Sequence, residues 1–305
     1  VREVRCTRRY LLGLALAAPG LLSMISPSRA GEAAGDPAAG LVSMDMVISE
    51  MLLSLGVVPL ATANVPLYRR LVAVPAMPEG VADLGPLNEP NLEYLSMLAP
   101  SRILMADWQA AGLEGLARIA PIQTLAMLPR QTPALDHAKA LLSELAGSCG
   151  RAAVAAAMIT QTEAQIDQAR SALLGFDRPI YLCRFNRDGR NLAVFGGNGM
   201  LSDVLRRLGL TNAYRGRVNA LSGGASLPLT RLADTPDAIL VHFDRGQETD
   251  AALARLAQNP LWQALPAVRG GRVLRIPVIY PTGGLRSASR FARELADGLP
   301  ELADG

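Results

Sequence analysis

The sequence predicts an α/β protein of two lobes joined by one long helix. Three observations carry that expectation. Helical and strand-like segments alternate along both halves of the chain, residues 151–174 contain neither glycine nor proline, and a helix, proline-marked turn, strand pattern occurs once on each side of that stretch. A βαβα rhythm argues for mostly parallel sheets covered by helices. The 305 residues are length for roughly two domains.

Composition narrows the classes. Half the chain is apolar and 19% is charged, enough for a sizeable core and the opposite of a disordered chain. The 30 basic residues include a single lysine, Lys139, and the arginines are scattered, so a net charge of +3 gives no nucleic-acid face. Two histidines and three cysteines leave little for a His/Cys metal site.

Residues 1–30 read as an export signal. Arg2, Arg5, Arg8 and Arg9 precede the apolar run from Tyr10 to Ile25, and Ser28-Arg29-Ala30 offers small residues for cleavage. The Arg8-Arg9 pair resembles a twin-arginine signal, with an ordinary secretion signal as the alternative. The run is shorter than the ~20 residues of a spanning helix. Removing residues 1–30 takes away five arginines and Glu3, and the net charge falls from +3 to −1. Residues 31–40, rich in Gly, Ala and Pro, read as a flexible leader.

The first lobe is expected over residues 41–150. Met46, Ile48, Met51, Leu52 and Leu55 lie at helical spacings within Asp45–Leu55, and Gly56 ends that helix. Val57–Ala61 reads as a strand, Pro90–Leu98 as a helix, Arg102–Met105 as a strand, Leu113–Ile119 as a short helix and Ile122–Ala126 as a strand. Residues 151–175 are the bridge: Arg151–Leu174 is rich in good helix formers, and Gly175 follows as a stop with Pro179 beyond. Such a helix would span ~36 Å, enough to reach from one lobe to the next.

The second lobe, residues 176–305, repeats the rhythm. Ile180–Arg184 and Ala193–Phe195 read as strands, Met200–Leu208 as a helix and Ala238–Phe243 as a strand. Asp250–Gln258 (helix), Arg272–Ile276 (strand) and Ser287–Leu295 (helix) complete it. Leu92, Leu95, Leu98, Pro100, Ile103 and Leu104 are echoed by Leu229, Leu232, Pro236, Ile239 and Leu240. Cys149, near a helix start, and Cys183, in a strand, are expected as free or buried thiols.

Familiar catalytic signatures are missing. There is no G-x-x-x-x-G-K-[ST] phosphate loop and no G-x-S-x-G elbow, and His137 and His242 have no evident nucleophile partner. Gly196-Gly197-Asn198-Gly199, between a strand and a helix, would serve as an anion cradle or as a tight turn. Binding is the better class.

Five stretches resemble the periplasmic ferric-hydroxamate siderophore-binding proteins of ABC importers. They are Asn88-Glu89-Pro90-Asn91-Leu92-Glu93, Leu116-Ala117-Arg118-Ile119-Ala120-Pro121, Val194-Phe195-Gly196-Gly197-Asn198, Asn212-Ala213-Tyr214 and Pro260-Leu261-Trp262-Gln263-Ala264-Leu265-Pro266. They follow the family's order and cover essentially the chain beyond residue 40. The resemblance implies two Rossmann-like lobes joined by one long α-helix, the helical-backbone form of periplasmic binding protein, with a shallow cleft between them. It also implies a ferric siderophore as guest, with no cofactor: iron enters only inside the chelate, whose oxygens fill its coordination sphere. The partners implied are that siderophore and an ABC importer permease in the inner membrane, with the chain a monomer in the periplasm.

Position by position, the resemblance places the family's chelate-binding arginine at Leu87 and its tyrosine donor at Gln109. Two aromatic positions fall at Leu71 and Leu221, a third is kept as Tyr280, and a tyrosine falls at Thr282. The residues expected to touch ligand are therefore Arg69, Trp108, Gln109, Arg184, Asn219 and Tyr280. Arginines offer a fixed fork for chelate oxygens, and Trp108 and Tyr280 flat area with a donor. Were arginines to line the cleft, a carboxylate or mixed siderophore would fit. Glu93 is the expected permease-docking acid of the first lobe; its second-lobe counterpart falls near Thr230, with Asp234 and Asp237 nearby. Two alternatives remain: cobalamin or haem as cargo of the same fold, and an exported α/β enzyme.

Overall fold

The computed structural model describes residues 36–128 and 132–302. The expected export signal, with Arg8-Arg9, lies outside the described residues. Of the expected leader, residues 36–40 are described, and they are held by the fold. Ala38 is buried, Asp36 pairs with Arg151 at 3.1 Å, and Ser101 Oγ donates to the Ala39 carbonyl at 2.5 Å.

In chain order the first lobe runs β1 (Leu41–Ser43), α1 (Met46–Ser54), β2 (Ala61–Thr62), α2 (Val65–Leu71), β3 (Ala82–Asp83), α3 (Leu92–Met97), β4 (Arg102–Ala106) and β5 (Ile122–Leu125). Helix α4 (Ala134–Ser148) and the long α5 (Ala152–Ala172) follow. The second lobe holds β6 (Ile180–Phe185), β7 (Asn191–Phe195), α6 (Met200–Arg207), β8 (Gly224–Pro228), β9 (Ile239–Phe243), α7 (Gln247–Leu256), α8 (Pro260–Ala264), α9 (Pro266–Arg269), β10 (Val273–Ile276) and α10 (Leu285–Gly298). Each lobe has one five-stranded sheet, ordered β3-β2-β1-β4-β5 and β10-β9-β6-β7-β8. Among the described residues no helix is long and apolar enough to cross a membrane.

Local chemistry explains the starts of several helices. The Asp45 carboxylate accepts from the amides of Val47 (2.7 Å) and Ile48 (3.3 Å), and Asn64 and Asn91 cap α2 and α3 in the same manner. Each such cap is worth about 1 kcal/mol. Strands β4 and β9 are largely buried on both faces, the reason they read as near-continuous apolar runs. Leu104 faces one core while Ile103 and Met105 face another, as strand alternation requires.

The first sheet is wholly parallel, as the sequence rhythm anticipates; the second is mixed. β6 pairs antiparallel with β7, and β7 with β8. The link from Phe185 to Asn191 is too short for a parallel crossover, which needs a dozen or more residues. Asp188 shapes it into a hairpin by accepting from the amides of Arg190 (2.9 Å) and Asn191 (3.0 Å). Two further expectations change. Of Val57–Ala61 only Ala61 joins a strand, and Leu113–Ile119 folds as a 3₁₀ turn, Glu114–Arg118. Helix α4 is an addition to the expected elements, although Leu135, Ala138, Leu141, Leu142 and Leu145 carry the helical period.

The largest apolar core belongs to both lobes. Leu52 of α1, Leu142 of α4, Ile166 of α5, Leu205 of α6 and Phe291 of α10 pack in one cluster, with inward residues of β1, β4, β6 and β9 around it. Two buried acids bind the halves further. Glu50 of α1 accepts from Gly284 N and Ser287 N (3.0 Å each) and from Ser287 Oγ (3.1 Å) at the start of α10. Asp203 of α6 accepts from Leu135 N at the start of α4 (2.8 Å). Each carboxylate fills orphan amides of a helix far away in sequence. A methyl group on Gly283 would come within 2.9 Å of Glu50 Oε2, so the approach needs glycine there. A shared core and paired caps allow little lobe motion.

Candidate ligand cleft

A cavity of about 980 Å³ opens where the two sheets present the C-terminal ends of their parallel strands. The first lobe contributes Asp45 beyond β1, Leu87 beyond β3, Trp108 beyond β4 and Met127 beyond β5; the second contributes Arg245 beyond β9 and Tyr280 beyond β10. Strand-end crevices are the usual binding place of open α/β sheets, because loops there can vary without disturbing the layers. The volume is at the upper end of the ~300–1,000 Å³ of small-molecule sites.

Of the six residues expected to touch ligand, the cavity brings together Trp108, Arg184, Asn219 and Tyr280. Asn219 shapes its own loop: its carbonyl oxygen accepts from the amides of Leu221 (2.9 Å) and Ser222 (3.0 Å). Burial, with the Asp45 charge second, pushes the Tyr280 phenol up to about 12, so it stays a neutral donor at physiological pH.

Arg69 and Gln109 are corrections. Arg69 is exposed on α2 and does not line the cavity. Gln109 is only 3% exposed and its amide is fully engaged within the protein: Nε2 donates to the carbonyls of Met44 (2.9 Å) and Leu87 (3.2 Å), and Oε1 accepts from Ala106 N (3.0 Å). It ties together the loops that form the first-lobe wall and has no group left for a guest. Leu71, Leu87, Leu221 and Thr282, where the resemblance expects an arginine and aromatic rings, do line the cavity.

Other contributors carry little sequence signal. Arg245 lies two residues past β9, and Arg217 lies in the loop before β8. Phe195 and Phe243 form an edge-on pair, 5.7 Å between centroids, in the apolar wall. Burial, then the neighbouring Arg184 charge, holds the Arg245 guanidinium below its ordinary range; its ion pair with Glu248 at 2.7 Å opposes both. His137 also lines the cavity, with Nε2 donating to the Ala126 carbonyl at 2.7 Å.

The glycine cluster packs as a tight turn. Gly197 has φ +61°, and a Cβ there would lie 2.6 Å from Val218 Cγ2. The glycines admit the loop that carries Arg217 and Asn219. Among the described residues, no group of three or more His, Cys, Asp or Glu side chains is placed to hold a metal ion. Cys149 and Cys183 are both buried, and neither forms a disulfide among the described residues. Glu93 is exposed in the first turn of α3.

Comparison with known proteins agrees with this geometry. The chain is 33% identical over 293 residues to the iron(3+)-hydroxamate-binding protein FhuD of Escherichia coli (strain K12), covering 96% of each chain. Its fold is similar to the Fe3+-Desferal-bound siderophore-binding protein FhuD of Vibrio cholerae, with a TM-score of 0.78 and 26% identity over 86% of this chain and 97% of that one. The triscatecholate siderophore-binding protein FeuA of Bacillus subtilis shares the fold alone: TM-score 0.68 at 16% identity, over 87% and 93% of the two chains. The family profile described as periplasmic binding protein matches residues 41–280, and the chain belongs to that family.

Proposed function

We propose that this protein captures a ferric siderophore, of the hydroxamate class first, and presents it to the permease of an ABC importer. The observation that carries this reading is 33% identity to an iron(3+)-hydroxamate-binding protein across nearly the whole of both chains. The cleft supports it physically. A chelated iron needs no protein ligand, only a wall that recognises the chelate's exterior, and Trp108, Tyr280, Phe195 and Phe243 supply flat surface beside polar donors. Binding, without turnover, is the role of such a site. The reading places the mature chain in the periplasm, exported by residues 1–30, with Glu93 on α3 meeting a permease arginine.

Titration of the purified protein with a panel of iron-loaded siderophores, followed by tryptophan fluorescence, tests the proposal. Saturable quenching by an iron-loaded hydroxamate, absent with its iron-free form, is expected. A flat response to every iron-loaded chelate, with saturation by cobalamin or haem, would overturn it.

A further inference from the structure

Building on the siderophore reading, we propose that the second lobe carries an anion subsite, formed by Arg184 and Arg245 and flanked by Arg217, that selects ferric chelates with free carboxylate or other outward negative charge over neutral and cationic ones. All three arginines line the cavity, and all three come from the second lobe. Arg184 forms no ion pair or side-chain hydrogen bond among the described residues, and the buried Nε atoms of Arg184 and Arg245 have no partner. Among the described residues, Glu248 is the carboxylate that pairs with this group. It meets Arg245 at 2.7 Å, and its other oxygen lies 3.6 Å from Arg70, so it is shared between two cations.

The cavity's own acids belong to the first-lobe wall, and each has one oxygen that accepts from backbone amides. Asp45 caps α1 through Val47 and Ile48, and Asp107 accepts from Met127 N at 3.1 Å. The guanidinium Nε atoms of Arg184 and Arg245 that are left without a partner lie on the second-lobe wall. Neighbouring guanidinium groups in a half-buried wall repel unless a guest supplies negative charge. Their planar forks match carboxylate or catecholate oxygens. The opposite wall presents Leu71 and Leu87 beside the acids Asp45 and Asp107, and none of its described lining residues is an arginine or lysine.

The test titrates the full chain with three iron-loaded probes at low and high salt. They are ferric desferrioxamine B, a trihydroxamate with a cationic tail; a citrate-centred dihydroxamate with a free carboxylate; and a triscatecholate. At least one anionic probe is expected to bind about tenfold or more tighter than ferric desferrioxamine B, with the advantage shrinking as salt rises. The carboxylate and catecholate arms separate the two sources of negative charge. The double variant Arg184→Gln/Arg245→Gln should cost the anionic probe at least about tenfold more affinity than it costs ferric desferrioxamine B. Arg184→Lys/Arg245→Lys should restore part of that difference, which separates charge from lost folding. Equal affinity for all three probes, unaffected by salt, would overturn the subsite and leave the siderophore reading standing. Failure to bind any of the three would overturn the siderophore reading itself.

Discussion

Glu50 and Ser287, 237 residues apart in the chain, meet through two hydrogen bonds that fix the start of α10 against α1. The carboxylate is 1% exposed, and burial raises its pKa even though three donors and the Arg290 charge favour the ionised form. Glu50→Ala should therefore leave the Gly284 and Ser287 amides unsatisfied in a closed site and destabilise the fold by on the order of 3 kcal/mol. Glu50→Gln, which keeps an acceptor, should lose less. Urea unfolding checks both; equal stability of Glu50→Ala and wild type would remove the cap from the account.

Gln109 and Trp108, adjacent in sequence, should behave oppositely. Gln109→Ala breaks three internal hydrogen bonds and is expected to lower stability by on the order of 2 kcal/mol. Trp108→Ala removes cleft surface and should weaken siderophore binding about tenfold with little change in melting temperature. Calorimetric melting and binding titration of both variants separate the roles.

His242 predicts an acid-side loss of stability. Burial holds its imidazole to about 4 against an ordinary 6.5; the Arg275 charge adds to the depression and Asp244 opposes it. Between those values the unfolded chain binds the proton and the folded chain does not, so stability falls as pH drops from 6.5 toward 4. The full loss from this group is about 3 kcal/mol. His242→Gln should flatten that part of the profile, and urea midpoints at pH 7, 5.5 and 4.5 measure it.

Glu93→Arg should leave ligand affinity unchanged and reduce siderophore-dependent growth or uptake in cells carrying the cognate importer. A surface charge on α3 acts on encounter and orientation and lies away from the cleft. Parallel loss of affinity and uptake would count against a docking role.

What the sequence made legible follows from element size. Strands β4 and β9 are five residues long with four of the five apolar, and α5 is a long stretch without breakers, so period and composition suffice. Strands β2 and β3 have two residues each, too few for any period to show. The antiparallel turn to β7 depends on the length of one link, readable only once both strand ends are known. In the site, Arg184 is legible because it stands out near the end of an apolar strand. Arg245 leaves no such mark, since the loop beyond β9 sets its direction. Gln109 misleads for a related reason: alignment with a donor position says nothing of whether the side chain turns inward, and here three backbone groups hold it there.

The contribution of α1 to the start of α10 also orders events in time. A ribosome releases the amino-terminal half long before residues 284–287 emerge, and until then Glu50 has none of the donors that hold it. The first lobe is thus expected to stay incomplete until residues 284–287 are made, and to lock together with the second lobe late. Chains cut short before Leu285 should accumulate as protease-sensitive species instead of as one finished lobe trailing an unfinished one.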